Sequence, residues 1–185
     1  MSHSTDYLRA HGYGHVNGHI SDADVSAFRS IVKRMPQHFR MVELGSFQGA
    51  SAVTFALLAK EMGKTCEILC IDILFTDADW FEIFKENTKD FDNIHYRAEL
   101  FHSRFKYEGE PIDLYFDDAS HEERPTYRQL VFWSKYATNI VVHDYHELWS
   151  GTIKAVDAFS TELGLNVEHF DDSSVVYMEN IRGEG

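Results

Sequence analysis

Residues 41–59 read MVELGSFQGASAVTFALLA, and this stretch decides the fold. A short apolar run carrying an acid, Val42-Glu43-Leu44, breaks at Gly45-Ser46-Phe47-Gln48-Gly49, and a helical pattern follows from Ala50 to Lys60. Strand, glycine turn and helix in that order present backbone N–H groups and a helix N-terminus to a ligand. Gly45 allows a sharp turn or a close ligand approach, and Gly49 allows helix and strand to pack closely. The spacing Glu-x-Gly-x-x-x-Gly is not the dinucleotide fingerprint Gly-x-Gly-x-x-Gly. A carboxylate at the strand tip repels a pyrophosphate and attracts an ammonium. The implied ligand is a nucleoside carrying an amino acid.

Working outward, the neighbouring segments repeat the alternation. Ser21-Asp22-Ala23-Asp24 opens a helix as a capping box, with Val25, Phe28, Ile31 and Val32 at helical spacing and Pro36 beyond its end. Residues 40–44 are the first strand. Residues 67–73 form the second strand, with Asp72 near its tip, 23 positions beyond Gly49. That is close to the ~20 expected of an acid that binds ribose hydroxyls. Capping the next helix is the competing role for Asp72, although Thr76 or Asp77 can do that. A helix at 80–89, a strand at 93–97, a strand at 112–116, a helix at 122–136, a strand at 139–142 and a helix at 152–163 ending at Gly164 follow. Strands at 166–170 and 174–179 close the chain as an antiparallel pair. The expected fold is a three-layer α/β sandwich around a mainly parallel seven-stranded sheet with one antiparallel edge strand.

Composition sets bounds. The 185 residues suit one domain, and 44% hydrophobic residues with 14 Phe suit a packed core. Seventeen Lys and Arg against 30 Asp and Glu leave a formal charge of −13, which repels phosphate backbones, so no nucleic-acid partner is expected. Cys66 and Cys70 lie four apart in one strand, roughly 13 Å at about 3.3 Å per residue, too far to bond. They read as apolar fillers in a reducing compartment. No apolar run approaches ~20 residues, so no membrane partner is expected, and a cytoplasmic location is. Residues 1–20 hold four of the eleven His: His3, His11, His15 and His19. Gly12, Gly14 and Gly18 disfavour a regular helix there, so a flexible or lid-forming segment is expected in preference to a metal site.

Acids and histidines recur at strand ends: Glu43, Asp72, Asp117-Asp118 with His121, and His143-Asp144. In an open parallel sheet, ligands bind beyond those ends, at the point where the strand order reverses. Glu43-Leu44-Gly45 through Gly49-Ala50-Ser51, with Ile112–His121 (IDLYFDDASH) and Asn139–Tyr145 (NIVVHDY), resembles class I S-adenosylmethionine-dependent methyltransferases. The similar subgroup carries a pattern near Ile-Asp-Leu-Leu-Phe-Ile-Asp-Gly-Asp-His and a later His-Asp-Tyr, and includes small-molecule and sugar O-methyltransferases. The resemblance spans about residues 15–180. It implies S-adenosylmethionine contacts at Glu43, Gly45, Ser46, Phe47, Gly49, Ser51, Asp72, Ile73, Glu99 and Asp117. It also implies catalytic roles for Asp118, His121, His143 and Asp144, and Mg²⁺ on Asp118 and Asp144.

Three positions depart from the pattern: Asp117 stands for an apolar residue, Ala119 for Gly, and Ser120 for the second acid. Tyr145 stands where related enzymes supply a third oxygen ligand. Methyl transfer to a hydroxyl needs an in-line approach and removal of a proton. His121 or His143 can take it, or a metal on Asp118 and Asp144 can lower the hydroxyl's pKa. The expected acceptor is a small molecule or sugar, and the resemblance leaves a homodimer open. Two rival readings remain: a nicotinamide-dependent oxidoreductase, disfavoured by Glu43, and a silent ligand-binding protein on the same scaffold.

Overall fold

The computed structural model describes residues 4–101 and 105–180. His3 and residues 181–185, part of the expected single domain, lie outside them. Strands β1 (His38–Leu44), β2 (Thr65–Asp72), β3 (Ile94–Ala98), β4 (Ile112–Asp117), β5 (Ala137–Val142), β6 (Glu168–His169) and β7 (Val176–Glu179) form one sheet in the order β3-β2-β1-β4-β5-β7-β6. β1 to β5 run parallel, β7 runs antiparallel to β5, and the two-residue β6 pairs outside it. The strand order reverses between β1 and β4, so the cleft opens where Leu44 pairs with Asp117.

The helices are α1 (Asp6–Ala10), α2 (Asp22–Arg34), α3 (Ala50–Glu61), α4 (Ala78–Thr88), α5 (Glu123–Trp133) and α6 (Ser150–Leu163). Alternation along the central strands makes the layers. Met41, Leu114 and Phe116 pack with Phe28 of α2, Phe55 of α3 and Phe84 of α4 on one face. Val42, Leu44 and Tyr115 pack with Trp133 of α5 and Phe159 of α6 on the other. The near-continuous burial of α3 follows from its place beneath α2 and beside β2. The capping box at Ser21 forms as expected, with Ser21 and Asp24 each accepting from the other's backbone N–H.

The N-terminal segment is more ordered than its glycines suggest. Thr5 caps α1, and Leu8, Val16 and Ile20 are buried against the core. His11 meets Glu61 of α3 at 2.7 Å, and Glu61 also meets Arg29 of α2 at 2.8 Å. A short helix carrying Leu8, then Val16 and Ile20 along the glycine-rich loop after it, fix the segment. Cys66 and Cys70 are both free and buried, as their spacing required. No helix among the described residues is long and apolar enough to cross a membrane.

Candidate active site

A cavity of about 820 Å³ lies at the carboxyl ends of the parallel strands, where β1 and β4 diverge. Its floor is the β1–α3 turn. Gly45 has φ +88°, and a Cβ there would come within 2.3 Å of the Asp118 carbonyl oxygen, so only glycine lets the β1 and β4 turns meet. Phe47 also has positive φ, +47°, which disfavours an aromatic residue. Asp72 holds it: Oδ2 accepts from the Phe47 N–H at 2.7 Å, while Oδ1 accepts from the Leu74 N–H at 2.8 Å and caps a short 3₁₀ turn. Asp77 caps α4. Asp72 thus has the capping role and lines the cavity as well.

Gly45, Ser46, Phe47, Ser51, Asp72, Ile73 and Glu99 line the cavity, and Glu99 is ion-paired with Arg97 at 2.5 Å. Three expected cofactor contacts do not. Glu43 is fully buried under the turn, accepting from the Ser51 hydroxyl and from the Cys70 thiol at 3.2 Å. Burial raises its pKa to about 7, which weakens it as a partner for an ammonium. Asp117 is sealed beside Tyr115, and burial lifts it to about 7 as well. The carboxylate alternates away from the cleft because strand side chains change face at each residue. Gly49 is the left-handed N-cap of α3, and a Cβ there would press on Phe84 and Thr88. Its packing partner is therefore α4, not the strand.

The acids of β4 and β5 converge, but on a histidine. His143 is 2% exposed. Its Nδ1 lies 3.2 Å from Asp118 Oδ1 and 3.4 Å from Asp144 Oδ1, and its Nε2 lies 3.3 Å from Asp24 Oδ2. Burial alone would lower the pKa of this ring, yet the three carboxylates outweigh it and hold the imidazole well above its ordinary value. His143 does not line the cavity, which corrects its assignment as a base acting on substrate. It lies instead within 3.4 Å of all three carboxylates, between the two acids and α2.

His121 does line the cavity. Its Nε2 lies 2.8 Å from Asp144 Oδ2, and that carboxylate raises its pKa. Burial would raise the Asp144 pKa, but hydrogen bonds from His121 and His143 hold it well below the usual carboxylate range. Asp144 itself has φ +58°, a conformation that Asp tolerates and that aims it between the two rings. Trp149 stacks on His121 with ring centroids 4.0 Å apart. That contact depends on Gly151, where a Cβ would lie 2.2 Å from the His121 carbonyl oxygen.

Residue reading alone missed several parts of the wall. Gln129 of α5 is buried at the cavity edge, and its Oε1 has no partner among the described residues. The Ser46 hydroxyl, a contact the resemblance did imply, likewise makes no hydrogen bond of adequate geometry. Gly18, His19 and Ile20 supply one side. Asp24 reads as a helix cap, and nothing local signals its reach to His143. Gln129 sits in an amphipathic helix like any polar residue, so only the placed cavity singles it out.

One ligand atom each from Asp118, His143 and Asp144 lies within 4.8 Å of the others, a spacing that suits a metal ion. The donor chemistry does not. A ligating imidazole must be neutral, whereas three carboxylates favour the protonated ring of His143. Tyr145, at the position of a third oxygen ligand, turns its hydroxyl to Asp157 of α6 at 2.8 Å.

The chain matches none of the curated proteins. Among solved structures it is similar to a protein from Staphylococcus aureus assigned as a caffeoyl-CoA O-methyltransferase (TM-score 0.68, 11% identity, 94% of this chain and 91% of that one). It is also similar to one from Clostridium thermocellum assigned as an rRNA methylase (TM-score 0.65, 13% identity, 86% and 97%). A third is M. capricolum TrmK bound to S-adenosylhomocysteine (TM-score 0.57, 11% identity, 84% and 68%). At these identities the likeness is one of fold. A family model described as a methyltransferase domain matches residues 42–145, more than half of the sequence and the whole run from the first motif to Tyr145. The chain therefore belongs to that methyltransferase family, with the class I, S-adenosylmethionine-dependent fold.

Proposed function

We propose that this enzyme methylates a hydroxyl group of a small acceptor, with His121 as the general base. The observation that carries this reading is the His121–Asp144 pair on the wall of the cleft, beside the Gly45 turn. Asp144 accepts from Nε2–H, which leaves Nδ1, without a partner among the described residues, to take the acceptor's proton. S-adenosylmethionine, when bound, supplies a methyl group on a sulfonium. Transfer of that methyl to the acceptor oxygen would leave the cofactor as its thioether, and His121 would hold the proton the hydroxyl gives up. Asp144 and the Trp149 ring then stabilise the imidazolium.

The cavity fits this cofactor. Asp72 keeps lone pairs free for the ribose hydroxyls beyond its two backbone bonds. The first turn of α3 offers N–H groups to the amino-acid carboxylate. The unpartnered Gln129 Oε1 and Ser46 Oγ are buried polar atoms that a ligand would satisfy, Gln129 matching an exocyclic amine of the base. Mg²⁺, which takes oxygen ligands, does not fit the donor set, because the His143 ring nitrogen stands between Asp118 and Asp144. A labelled-methyl assay over phenol and sugar acceptors, with and without EDTA, tests both points. Turnover unchanged by EDTA and lost in His121→Ala, with S-adenosylhomocysteine affinity retained, is expected. Turnover restored only by added Mg²⁺ would reverse the assignment of the acids.

A further inference from the structure

The charge of the cavity narrows the acceptor. Among the described residues that line it are five carboxylates, Asp72, Glu99, Asp118, Glu122 and Asp144, and no Lys or Arg. Asp72 and Glu99 are engaged at the cofactor side, by backbone N–H groups and by Arg97. The other three stand at the β4 and β5 end, with Asp24 behind them. Even with His121 and His143 both protonated, Asp24, Asp118, Glu122 and Asp144 leave this end negative. An anion placed there meets repulsion that no nearby described cation offsets, and the net charge of −13 adds to it at long range. RNA and acyl carriers that hold phosphates are poor matches for such a site, whatever fold relatives act on.

The mouth is apolar as well as acidic. Trp149 is 40% exposed while stacked on His121, its neighbour Leu148 is 84% exposed, and Leu100 on the facing wall is 56% exposed. Scattered exposed apolar residues need no explanation, but Trp149 and Leu100 line the same cavity, and Trp149 lies against the proposed base. An aromatic face in a negative field favours a planar group that carries positive charge.

Resting on the O-methyl transfer reading above, we infer that the acceptor is a hydroxylated aromatic amine. Its ring packs along Trp149, its hydroxyl meets His121, and its ammonium is held by the carboxylate field that includes Glu122. The transfer itself is balanced as already written, the phenolic proton passing to His121 as the oxygen takes the methyl group.

The test uses the full chain saturated with S-adenosylhomocysteine, whose binding is measured first by calorimetry. Three phenols with a short arm are then titrated: tyramine, which ends in an ammonium; tyrosol, which is neutral; and 3-(4-hydroxyphenyl)propionate, which ends in a carboxylate. A short single-stranded RNA is the fourth probe. Tyramine is expected to bind about tenfold or more tighter than the propionate, with tyrosol between them and tryptophan fluorescence quenched in the wild type. Trp149→Leu removes the quenching. Glu122→Lys narrows the tyramine preference without loss of S-adenosylhomocysteine binding, because Glu122 makes no side-chain cap bond to α5. Equal or tighter binding of the propionate or the RNA overturns the inference, and so does binding of none of the three phenols. Absence of S-adenosylhomocysteine binding at the outset would instead overturn the function proposed above.

Discussion

Asp24 closes a capping box and also holds a histidine 119 residues away. Its Oδ1 accepts from the Ser173 hydroxyl at 2.7 Å and the Ser174 N–H at 3.2 Å, so one carboxylate joins α2, the β6–β7 turn and the acid pair. Burial would raise its pKa, but the His143 contact outweighs that and holds it well below the carboxylate range. Asp24→Asn keeps most cap geometry and leaves a buried imidazolium short of a counter-charge. Breaking such a pair costs about 3–5 kcal/mol, and a urea denaturation midpoint lowered accordingly is expected. Glu43 gives the opposite pH signature. Its pKa is raised by burial from 4.5 to about 7, so the folded state binds more protons than the unfolded chain between those values. Its contribution to stability is therefore present below pH 4.5 and falls as pH rises through about 7. Glu43→Gln should flatten that part of the stability curve between pH 5 and 8. A slope unchanged from wild type would assign the titration elsewhere, Asp117 being the next buried carboxyl.

At the scale of elements, two close approaches set the site. α6 starts against the backbone of residues 121–123 because Gly151 has no Cβ to hold it off. Gly151→Ala gains helix propensity of roughly 1 kcal/mol, yet it pushes α6 from the His121 loop and unstacks Trp149. The expected outcome is turnover reduced by about tenfold or more with S-adenosylhomocysteine affinity nearly unchanged, since a small misplacement of a base is costly. Full turnover in this variant would remove the stack from the mechanism. The N-terminal segment is the second element. Leu8, Val16 and Ile20 anchor it, and Gly18 sits so close to Ala50 that a Cβ would lie 2.4 Å from the alanine Cβ. Hydrogen exchange with and without S-adenosylhomocysteine should show new protection at residues 17–20, the part that walls the cavity, and little change at 5–10. Equal protection along the whole segment in both states would take it out of the site.

For the whole molecule, the cleft is the place where sheet topology and charge meet. A parallel sheet brings its carboxyl ends to one edge, and the reversal between β1 and β4 leaves a gap that no crossover helix fills. A ligand that binds there spans β1, β2, β4 and the N-terminal wall, and so stabilises the fold as a unit. At S-adenosylhomocysteine concentrations near 100 times its Kd, mass action adds about 2.7 kcal/mol, visible as a raised Tm. A Tm independent of ligand would contradict the proposed cofactor site.

The sequence by itself determined the alternation of strands and helices, the glycine turn at 45–49, the capping box at Ser21 and the gathering of acids and histidines at strand ends. These are written in local periodicity and turn chemistry, which a chain carries residue by residue. Asp118, His121 and Asp144 were legible for the same reason, because a strand's end is a local event. Only the tertiary structure decided which of them face the cleft. Strand side chains alternate, so Asp117 is sealed in the core while its neighbour Asp118 reaches the cavity, and Glu43 is covered by Ser51 of the helix that follows the turn. It also decided what lies between Asp118 and Asp144. His143 lies there, held by Asp118 and Asp144 themselves and by Asp24 from a distant helix, a meeting of three elements that no local pattern announces.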